Sequence, residues 1–316
     1  MKFKKPKFWD LKKPNIISIL FFPLTIIIFI NNLLLNQSKK AKNKYIKSIC
    51  VGNIYLGGTG KTPLVIKLHK IFNKLNYKIC VGKKFYKDQK DEQILLNDET
   101  NLIIETNRKK IFEKAIFNKS NLIIFDDGLQ DKTVNYNIKL VCFDQDNWIG
   151  NGLLIPSGPL RENLNSLKKY DAIIIKKIEE IGNMNEILDD IKKINPKIKI
   201  FYSQFYPMNL NNFDLSKKYL IFSGIGNHNS FRNLLLINNF DIIEEMKFPD
   251  HFNYKQKDLD KIINKAISLG AEIITTEKDF SKISKLEYEN IKFLKIDLKI
   301  ENEIKFINFM EEKINE

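Results

Sequence analysis

The sequence predicts an α/β protein with a mostly parallel sheet, a second and smaller α/β domain, and an N-terminal membrane-associated helix. From Tyr45 onward, short apolar runs alternate with longer stretches of mixed polar and apolar residues, a pattern typical of βα units and parallel sheets. Before that point lies one long apolar run with basic flanks. A chain of 316 residues has room for two ordinary domains, each with a core of its own.

The short apolar runs give two sets of candidate strands. The first set comprises residues 46–51, 78–81, 102–104, 122–125, 138–143 and 172–175, and the second comprises residues 198–205, 219–222, 273–275 and 291–296. Residues 301–316 have the periodicity of an amphipathic helix. We therefore predict a membrane-associated segment 1–38, a first α/β domain 39–197, and a second α/β domain with linker strands 198–316.

The N-terminal apolar run covers residues 16–30 and is interrupted only by Ser18, Pro23 and Thr25. It is shorter than the ~20 residues that a spanning helix needs. Lysines on both flanks can contact the anionic headgroups of one leaflet, so the pattern favours a peripheral or monotopic anchor. A spanning helix stays an alternative, although equally basic flanks run against the usual orientation bias. A buried core helix is a further alternative, whereas a signal peptide would need a small-residue cleavage pattern that this sequence lacks.

The composition limits the kinds of binding partner that the protein can be expected to have. The sequence has 52 Lys and Arg against 38 Asp and Glu, a net charge of +14, which attracts phosphates, nucleic acids and anionic membranes. The lysines are spread along the chain without a basic stripe interleaved with aromatic residues, so we expect no nucleic-acid partner, and nothing indicates an obligatory protein partner. Cys50, Cys80 and Cys142 lie within or beside apolar runs and form no CxxC motif, which predicts reduced core thiols and excludes a disulfide framework.

A glycine-rich loop follows the candidate strand that ends at Val51, and a helical pattern follows the loop. Its G-G-T-G-K-T core is that of a P-loop, although Tyr55 occupies the first glycine position of the strict pattern. Lys61 can reach the β and γ oxygens of ATP, and the Thr62 hydroxyl can bind Mg²⁺. The predicted nucleotide-binding residues of the loop are Tyr55, Leu56, Gly57, Gly58, Thr59, Gly60, Lys61 and Thr62. A purely structural glycine-rich turn is the alternative.

An acidic doublet at the end of a later apolar strand completes this prediction. Asp126 and Asp127 follow the run Asn121 to Phe125, and a carboxylate at a strand end beside a P-loop is suited to binding the Mg²⁺ of MgATP. Asp126 is the better candidate of the two. On its own, such a doublet is more often a turn or a helix cap, and the P-loop upstream changes that balance. The sequence therefore predicts a P-loop NTPase-like fold with ATP and Mg²⁺ as cofactors, and a P-loop kinase domain over 39–197.

The sequence contains, in this order, the segments V-G-N-I-Y-L-G-G-T-G-K-T-P, D-D-G-L-Q, G-N-G-L-L-I-P-S-G-P-L-R-E, F-S-G-I-G-N, F-P-D-H-F and T-T-E-K-D. Together, and in this order, they resemble the tetraacyldisaccharide 4'-kinase family. The resemblance implies two α/β/α units joined by a two-stranded linker, and an N-terminal helix that docks on the membrane. It also implies transfer of the ATP γ-phosphate to the 4'-hydroxyl of a lipid A disaccharide precursor, at the cytoplasmic face of the bacterial inner membrane.

The resemblance also implies roles for individual residues. The family's G-D-E-P segment, which carries its proposed base, matches Lys90 to Gln93, so only Asp91 and Glu92 carry over. The F-P-D-H match places the family's catalytic histidine at His251, and Arg161 of G-P-L-R-E would lie near the phosphates. The expected catalytic residues are therefore Asp91, His251 and Lys61, with Arg161 added to the nucleotide-binding set and Thr62, Asp126 and Asp127 at the metal. On composition alone, Asp91 would be a solvated loop acid.

This sequence departs from the family pattern at three places. The family's S-R-G-Y-G reads Lys83-Lys84-Phe85-Tyr86-Lys87, Asp131 replaces a histidine after D-D-G-L-Q, and Lys176 stands where an asparagine is usual. Because of these changes, the family's local loop geometry and its contact with the nucleotide base do not carry over to this chain, whereas we expect the phosphate-binding residues to be unaffected. His69 and His228 are expected to be structural.

Two other functions fit part of the pattern. A membrane-associated P-loop switch ATPase has no small-molecule acceptor, but its loop carries a signature lysine where this chain has Leu56. A soluble nucleoside or cofactor kinase shares the phosphate chemistry, but would have no use for the N-terminal apolar run. The prediction is an ATP-dependent lipid kinase.

Overall fold

The computed structural model describes residues 5–34, 46–87, 89–177, 183–283 and 290–316. In chain order, the strands are β1 Lys47–Gly52, β2 Ile79–Lys84, β3 Leu102–Glu105, β4 Leu122–Asp126, β5 Ile138–Asp144, β6 Ala172–Lys176, β7 Lys199–Pro207, β8 Lys218–Ser223, β9 Asp241–Lys247, β10 Glu272–Thr276, β11 Ile291–Leu294 and β12 Ile296–Ile300. The α-helices are α1 Ile16–Leu34, α2 Lys61–Lys74, α3 Lys90–Glu99, α4 Arg108–Phe117, α5 Met184–Ile194, α6 His228–Ile237, α7 Gln256–Leu269, α8 Glu277–Ile283 and α9 Glu303–Asn315.

The chain divides into two compact units. The larger unit comprises Lys5–Phe85, Glu99–Gln204 and Lys299–Glu316, and the smaller unit comprises, among the described residues, 86–98 and 205–298. β7 and β12 carry the chain from one unit to the other and are neighbours in one sheet. The units differ from the predicted segments 1–38, 39–197 and 198–316. Residues 86–98 belong to the smaller unit, whereas residues 198–204 and 299–316, together with the described N-terminal residues 5–34, belong to the larger.

The C-terminal helix shows why the second boundary differs. α9 packs on the larger unit, where the Phe306 ring lies 4.9 Å from the Phe201 ring. Glu303, the first residue of α9, forms an ion pair of 2.7 Å with Lys67 on α2. The amphipathic periodicity predicted this helix correctly, but its position along the chain did not indicate which unit its apolar side packs against.

The first sheet has eight strands in the order β12-β7-β6-β5-β1-β4-β2-β3 among the described residues. β1 pairs in parallel with β4 on one side and β5 on the other, so it is a central strand. Two separate apolar clusters cover the two faces of this sheet, one around Phe125 and α4 and the other around Phe143 and α5. Strands buried on both faces have continuous apolar runs, which is why their sequence pattern was readable.

The second sheet has the order β11-β10-β8-β9, and all its pairings are parallel. Successive residues of β8 point to opposite faces. Leu220 and Phe222 pack with α7, while Tyr219 and Ile221 pack with α6. Each unit is therefore a sheet with helices on both faces, as the predicted mostly parallel α/β class requires.

The sequence prediction missed or merged elements in the second set. β9 was not predicted. The single candidate strand 291–296 covers the whole of β11 and the first residue of β12, which belong to different sheets. Cys50, Cys80 and Cys142 are free and buried, as predicted. Burial raises the pKa of the Cys80 thiol to about 11, so this cysteine is an apolar core residue at neutral pH.

α1 lies against the larger unit through its two polar positions. Ser18 accepts a hydrogen bond of 2.9 Å from the Asn151 side chain, and the Thr25 hydroxyl lies 2.8 Å from that of Ser157. The polar interruptions of the apolar run therefore form the face that packs on the protein, and the apolar positions around them are largely exposed. Among the described residues, no helix combines the length and apolarity needed to cross a membrane.

Candidate functional site

The glycine-rich loop joins the central strand β1 to α2. Gly60 has φ +82°, a left-handed conformation that suits glycine, and it is the residue at which the chain turns into the helix. Lys61 and Thr62 are the first two residues of α2, so their side chains lie at a helix N-terminus, where free N–H groups and the helix dipole favour phosphate. The P-loop predicted from the sequence thus has its required strand-loop-helix context.

A second motif holds the first half of the loop in place. The Leu56 N–H donates to the Pro159 carbonyl at 2.8 Å, and the Arg161 N–H donates to the Ile54 carbonyl at 2.7 Å. Tyr55 forms a bridge with Leu160 between these two hydrogen bonds. The G-P-L-R-E segment therefore pairs with the P-loop as a short strand, which explains why the two motifs occur together.

This pairing restricts two of the predicted nucleotide-binding residues. The Tyr55 side chain is buried, and its hydroxyl donates to the Asp10 carboxylate at 2.6 Å. The Leu56 N–H is already used by Pro159. In this structure, Tyr55 and Leu56 have partners within the protein, and the N–H groups nearer α2 remain the candidates for phosphate.

Asp126 ends β4 directly beside β1, where it is in register with Val51. The Thr62 hydroxyl donates to its Oδ2 atom at 3.3 Å, so the P-loop and the acidic strand end meet as predicted. The Oδ1 atom is buried and has no hydrogen-bond partner in the described structure. A buried carboxylate oxygen beside a threonine hydroxyl is the donor set that a hard cation prefers. These residues therefore fit Mg²⁺.

Lys83 also contacts Asp126, which the sequence analysis did not foresee. Lys83 is 2% exposed, and its Nζ atom lies 2.5 Å from Oδ2 of Asp126. The two residues are in register on the neighbouring parallel strands β2 and β4. The expectation that the departure at Lys83 would leave the phosphate-binding residues unaffected is therefore wrong, because it places a cation against the carboxylate predicted to bind Mg²⁺.

Asp127 has two arginine partners, one at its carbonyl oxygen and one at its carboxylate. Its φ is +62°, and Arg108 donates to its carbonyl oxygen at 2.7 Å. Its carboxylate accepts a hydrogen bond of 2.9 Å from Arg161. Burial raises the pKa of Asp127, but the charges of Lys61 and Arg161 outweigh burial, and the pKa is lowered overall. Arg161 is thus beside the loop, as predicted, with Asp127 as its partner.

The other two departures from the family pattern form ion pairs of their own. Asp131 pairs with the buried Arg108 at 2.6 Å, and so belongs to the contacts that hold Asp127. Lys176 ends β6 and pairs at 2.5 Å with Asp144, its register neighbour on β5. In both cases the substituted residue has a partner of opposite charge, so the buried charge is compensated.

The smaller unit contains the predicted base and histidine, and it brings them together. The Nδ1 atom of His251 lies 2.8 Å and 3.0 Å from the two oxygens of Asp91. Asp91 is the second residue of α3 and is 4% exposed. Composition alone predicted a solvated loop acid here, and that prediction is wrong. Burial raises the pKa of Asp91, and the hydrogen bond from His251 with the charges of Lys278 and Lys282 outweighs it, so that the pKa lies well below its usual range.

The remaining histidines have structural contacts. His228 begins α6, and its Nδ1 atom lies 2.6 Å from the Ser223 hydroxyl while its Nε2 atom lies 3.2 Å from Glu245. His69 is buried on α2, where burial lowers its pKa. Neither lies with the predicted site residues. Sequence reasoning missed Lys83, Arg108, Lys278 and Lys282, because each gains its significance from a partner distant in sequence.

The parallel α/β fold, the P-loop at the N-terminus of α2 and the acidic end of β4 define a P-loop NTPase-like protein. Comparison with known proteins makes this specific. The chain belongs to the tetraacyldisaccharide-1-P 4'-kinase family, whose family model matches residues 16–315.

Individual relatives match this chain in sequence over nearly their whole length. The chain is 45% identical over 308 residues to a tetraacyldisaccharide 4'-kinase of Pelagibacter ubique, covering 98% of this chain and 97% of the relative. It is 32% identical over 320 residues to a tetraacyldisaccharide 4'-kinase of Rickettsia akari, with 96% and 95% covered. The crystal structure of LpxK from Aquifex aeolicus in complex with ATP has the same fold, with a TM-score of 0.68 and 21% identity over 95% of this chain and 100% of that chain.

Proposed function

We propose that this protein transfers the γ-phosphate of ATP to the 4'-hydroxyl of a tetraacyldisaccharide 1-phosphate. The family to which the chain belongs, and the names of its relatives, support this substrate. The structural observation that carries the proposal is the hydrogen bond between the buried Asp91 and His251, in a chain that also has a P-loop. A sugar hydroxyl is a poor nucleophile at neutral pH, so a kinase needs a group that accepts its proton, whereas a switch ATPase with no acceptor does not.

The larger unit supplies the phosphate-binding groups. The N–H groups at the start of α2 bind phosphate oxygens, and the Lys61 ammonium neutralises charge on the transferring group. Thr62 and Asp126 would hold Mg²⁺, which would supply positive charge against the phosphates of ATP. Arg161 donates to the Asp127 carboxylate and lies beside the same loop through its N–H group.

The smaller unit supplies the proton acceptor. As the bond between the acceptor oxygen and phosphorus forms, the hydroxyl proton passes to the Asp91–His251 pair, and the bond from the γ-phosphorus to the bridging oxygen of ADP breaks. The Nδ1 contact of His251 orients the carboxylate and shares the proton. The products are ADP and a 4'-monophosphate ester on the disaccharide.

The site of action proposed for the protein is the cytoplasmic face of the bacterial inner membrane. The exposed apolar positions of α1 and the net charge of +14 support contact with an anionic lipid surface. The substrate carries four acyl chains by its name, so an enzyme held at that surface meets it at a high local concentration.

The decisive experiment incubates the full chain with MgATP and a tetraacyldisaccharide 1-phosphate in mixed micelles, and analyses the lipid by mass spectrometry. We expect one added phosphate at the 4' position. Lys61→Ala and Asp126→Ala should each abolish the product and keep the circular dichroism spectrum. ATP hydrolysis without a phosphorylated lipid would instead support the switch ATPase, and phosphorylation of a nucleoside in place of the lipid would support the soluble kinase.

A further inference from the structure

Asp91 is part of a closed ring of contacts in the smaller unit. Lys282 lies 3.2 Å from Oδ2 of Asp91 and 2.8 Å from Oδ1 of Asp279. The other oxygen of Asp279 accepts the Gly224 N–H at 2.8 Å, and the Gly224 carbonyl accepts the His251 N–H at 3.1 Å. The His251 ring then returns to Asp91 at 2.8 Å. The carboxylate and its histidine are thus fixed from both ends, by one side-chain path and one backbone path.

A second lysine reaches the same carboxylate from the same helix. Lys278 and Lys282 are four residues apart on α8, so they lie on one face of that helix. The Lys278 ammonium lies 3.5 Å from Oδ2 of Asp91, and it also lies 3.4 Å from Glu92 and 3.3 Å from Asp250. Burial lowers the pKa of Lys278, but these carboxylates outweigh burial and raise it, so the ammonium keeps its charge.

The charges in this cluster determine whether Asp91 stays ionised. Four carboxylates, those of Asp91, Glu92, Asp250 and Asp279, meet the two ammonium groups and the His251 ring. A buried carboxylate with like charges beside it tends to take up a proton, and a protonated Asp91 could not accept one from the substrate. Both lysines contact Oδ2 of Asp91, and they oppose that tendency.

We propose that Lys278 and Lys282 are positioning residues for the Asp91–His251 pair: they keep the Asp91 carboxylate ionised and oriented toward His251. The T-T-E-K-D motif then has a function in the proposed reaction, since it supplies Lys278 and the Asp279 that anchors Gly224 and Lys282. Lys282 lies outside that motif, and it reaches Asp91 because it is four residues after Lys278 and therefore on the same face of α8. The inference rests on the proposed function, in which this pair accepts the proton of the acceptor hydroxyl.

The test measures the protonation of Asp91 with and without each lysine. Since the pKa of Asp91 is held below its usual range, activity should persist on the acid side until Asp91 takes up a proton at low pH. Lys282→Met and Lys278→Met each remove an attracting cation, which raises the pKa of Asp91 and moves the acid limb of the kcat profile to higher pH, by about one unit for each lysine. Lys282→Arg should keep the wild-type limb, and the KM for ATP should not change in any variant.

A direct readout needs no lipid substrate. In the full chain labelled with ¹³C at aspartate carboxyl carbons, the Asp91 signal is the one lost in Asp91→Asn, and its titration midpoint should move upward in Lys282→Met and in Lys278→Met. Lys265→Met is the matched control, because Lys265 is paired with Glu244 in the same unit and does not touch Asp91. Far-UV circular dichroism at each pH confirms that a variant is folded, and Lys282→Gln replaces Lys282→Met if the latter does not fold.

The two hypotheses fail in different ways. If both lysine variants keep the wild-type titration of Asp91 and the wild-type acid limb, the positioning role is wrong, whatever the lipid assay gives. If the titration shifts as expected but the wild-type protein does not phosphorylate the lipid, the positioning role stands and the proposed substrate is wrong.

Discussion

The Asp126 carboxylate is held from two directions, by the Lys83 ammonium on β2 and by the Thr62 hydroxyl at the start of α2. The ion pair with Lys83 is almost fully buried. Such a pair adds little net stability, because desolvation offsets the attraction, but removing one partner leaves an uncompensated charge in the core. In the proposed site Mg²⁺ would bind the carboxylate that Lys83 contacts, so either cation should reduce the electrostatic cost of leaving Asp126 without the other.

Replacing Lys83 with methionine tests this relation. We expect Lys83→Met to lower the free energy of unfolding by about 3–5 kcal/mol without divalent ions, since Asp126 loses its only cation within contact in the described structure. Added Mg²⁺ should then stabilise the variant more than the wild type. Thermal unfolding with and without Mg²⁺ measures both effects. The control is Lys114→Met, which removes an exposed lysine from its pair with the half-buried Glu105 and should leave the unfolding temperature close to that of the wild type. An equal effect of Mg²⁺ on Lys83→Met and wild type would contradict the shared role.

At the same scale, Asp91 and His251 should behave as one catalytic unit. Asp91→Asn and His251→Ala should each lower kcat by about 10²–10⁴-fold with little change in the KM for ATP, because each removes the proton acceptor. The double variant should be hardly worse than the poorer single variant. Steady-state kinetics with saturating lipid measures this.

The control for that series is Asp98→Asn, an exposed aspartate on the same helix, which should keep wild-type kcat. Losses that multiply in the double variant would mean that the two residues act independently. Wild-type kcat in Asp91→Asn would mean that another carboxylate accepts the proton, and Glu92 and Asp250 are the candidates nearest to His251.

At the scale of elements, α1 is oriented by two hydroxyl groups. Thr25 and Ser18 are seven residues apart and so lie on one side of the helix. The Thr25 hydroxyl forms a hydrogen bond with the Ser157 hydroxyl, and it also accepts a hydrogen bond of 3.3 Å from the Ser157 N–H. Both residues are buried, so the contact fixes which side of α1 faces the protein and which side is left exposed.

Substitution at Thr25 measures how much this contact contributes. Thr25→Val keeps the shape of the side chain but leaves the buried polar groups of Ser157 without that partner, and should cost about 1–3 kcal/mol in the free energy of unfolding. Ile27→Val, at a position 62% exposed, should be close to neutral. Urea unfolding followed by circular dichroism compares the two. If Thr25→Val is as stable as Ile27→Val, the hydroxyl contacts do not orient the helix.

At the scale of the whole molecule, the proposed contact with a lipid surface rests on the exposed side of α1. Ile16, Leu20 and Ile27 are 84%, 76% and 62% exposed, and the helical repeat puts them together, opposite Ser18 and Thr25. The net charge of +14 adds attraction to anionic lipid. A contiguous apolar surface of this kind on a basic protein indicates a lipid-contact face.

Substituting Ile16, Leu20 and Ile27 together with Asn should weaken binding to vesicles of phosphatidylglycerol and phosphatidylethanolamine by roughly tenfold or more, and should leave the melting temperature unchanged. Cosedimentation measures the binding. The control replaces Phe117, Ile267 and Ile304 with Asn, three residues that are 86%, 72% and 77% exposed but scattered over the chain. Equal losses in the two triple variants would mean that general hydrophobicity, and not this face of α1, governs binding.

The first sheet could be read from the sequence almost strand by strand. Residues 122–125 and 138–143 were placed within one residue of β4 and β5, because strands covered on both faces are continuous apolar runs. β9 could not be read in this way. Within the described part of the chain it is an edge strand with β8 as its single neighbour, and it carries the charged residues Asp241, Glu244, Glu245 and Lys247. An edge strand lacks the double cover that makes the pattern visible.

The P-loop and its acidic partner were determined by the sequence alone, because their chemistry is local: a strand end, glycines with unusual backbone angles, and a helix start. The environment of Asp91 was decided only by tertiary structure. A charged run at residues 87–92 reads as a solvated loop, and Asp91 is buried only because His251, Lys278 and Lys282 compensate its charge from positions at least 160 residues away. Lys83 is the same case on a smaller scale, since parallel pairing sets it beside Asp126. Charge compensation is a property of neighbours in space, and the order of residues along the chain does not contain it.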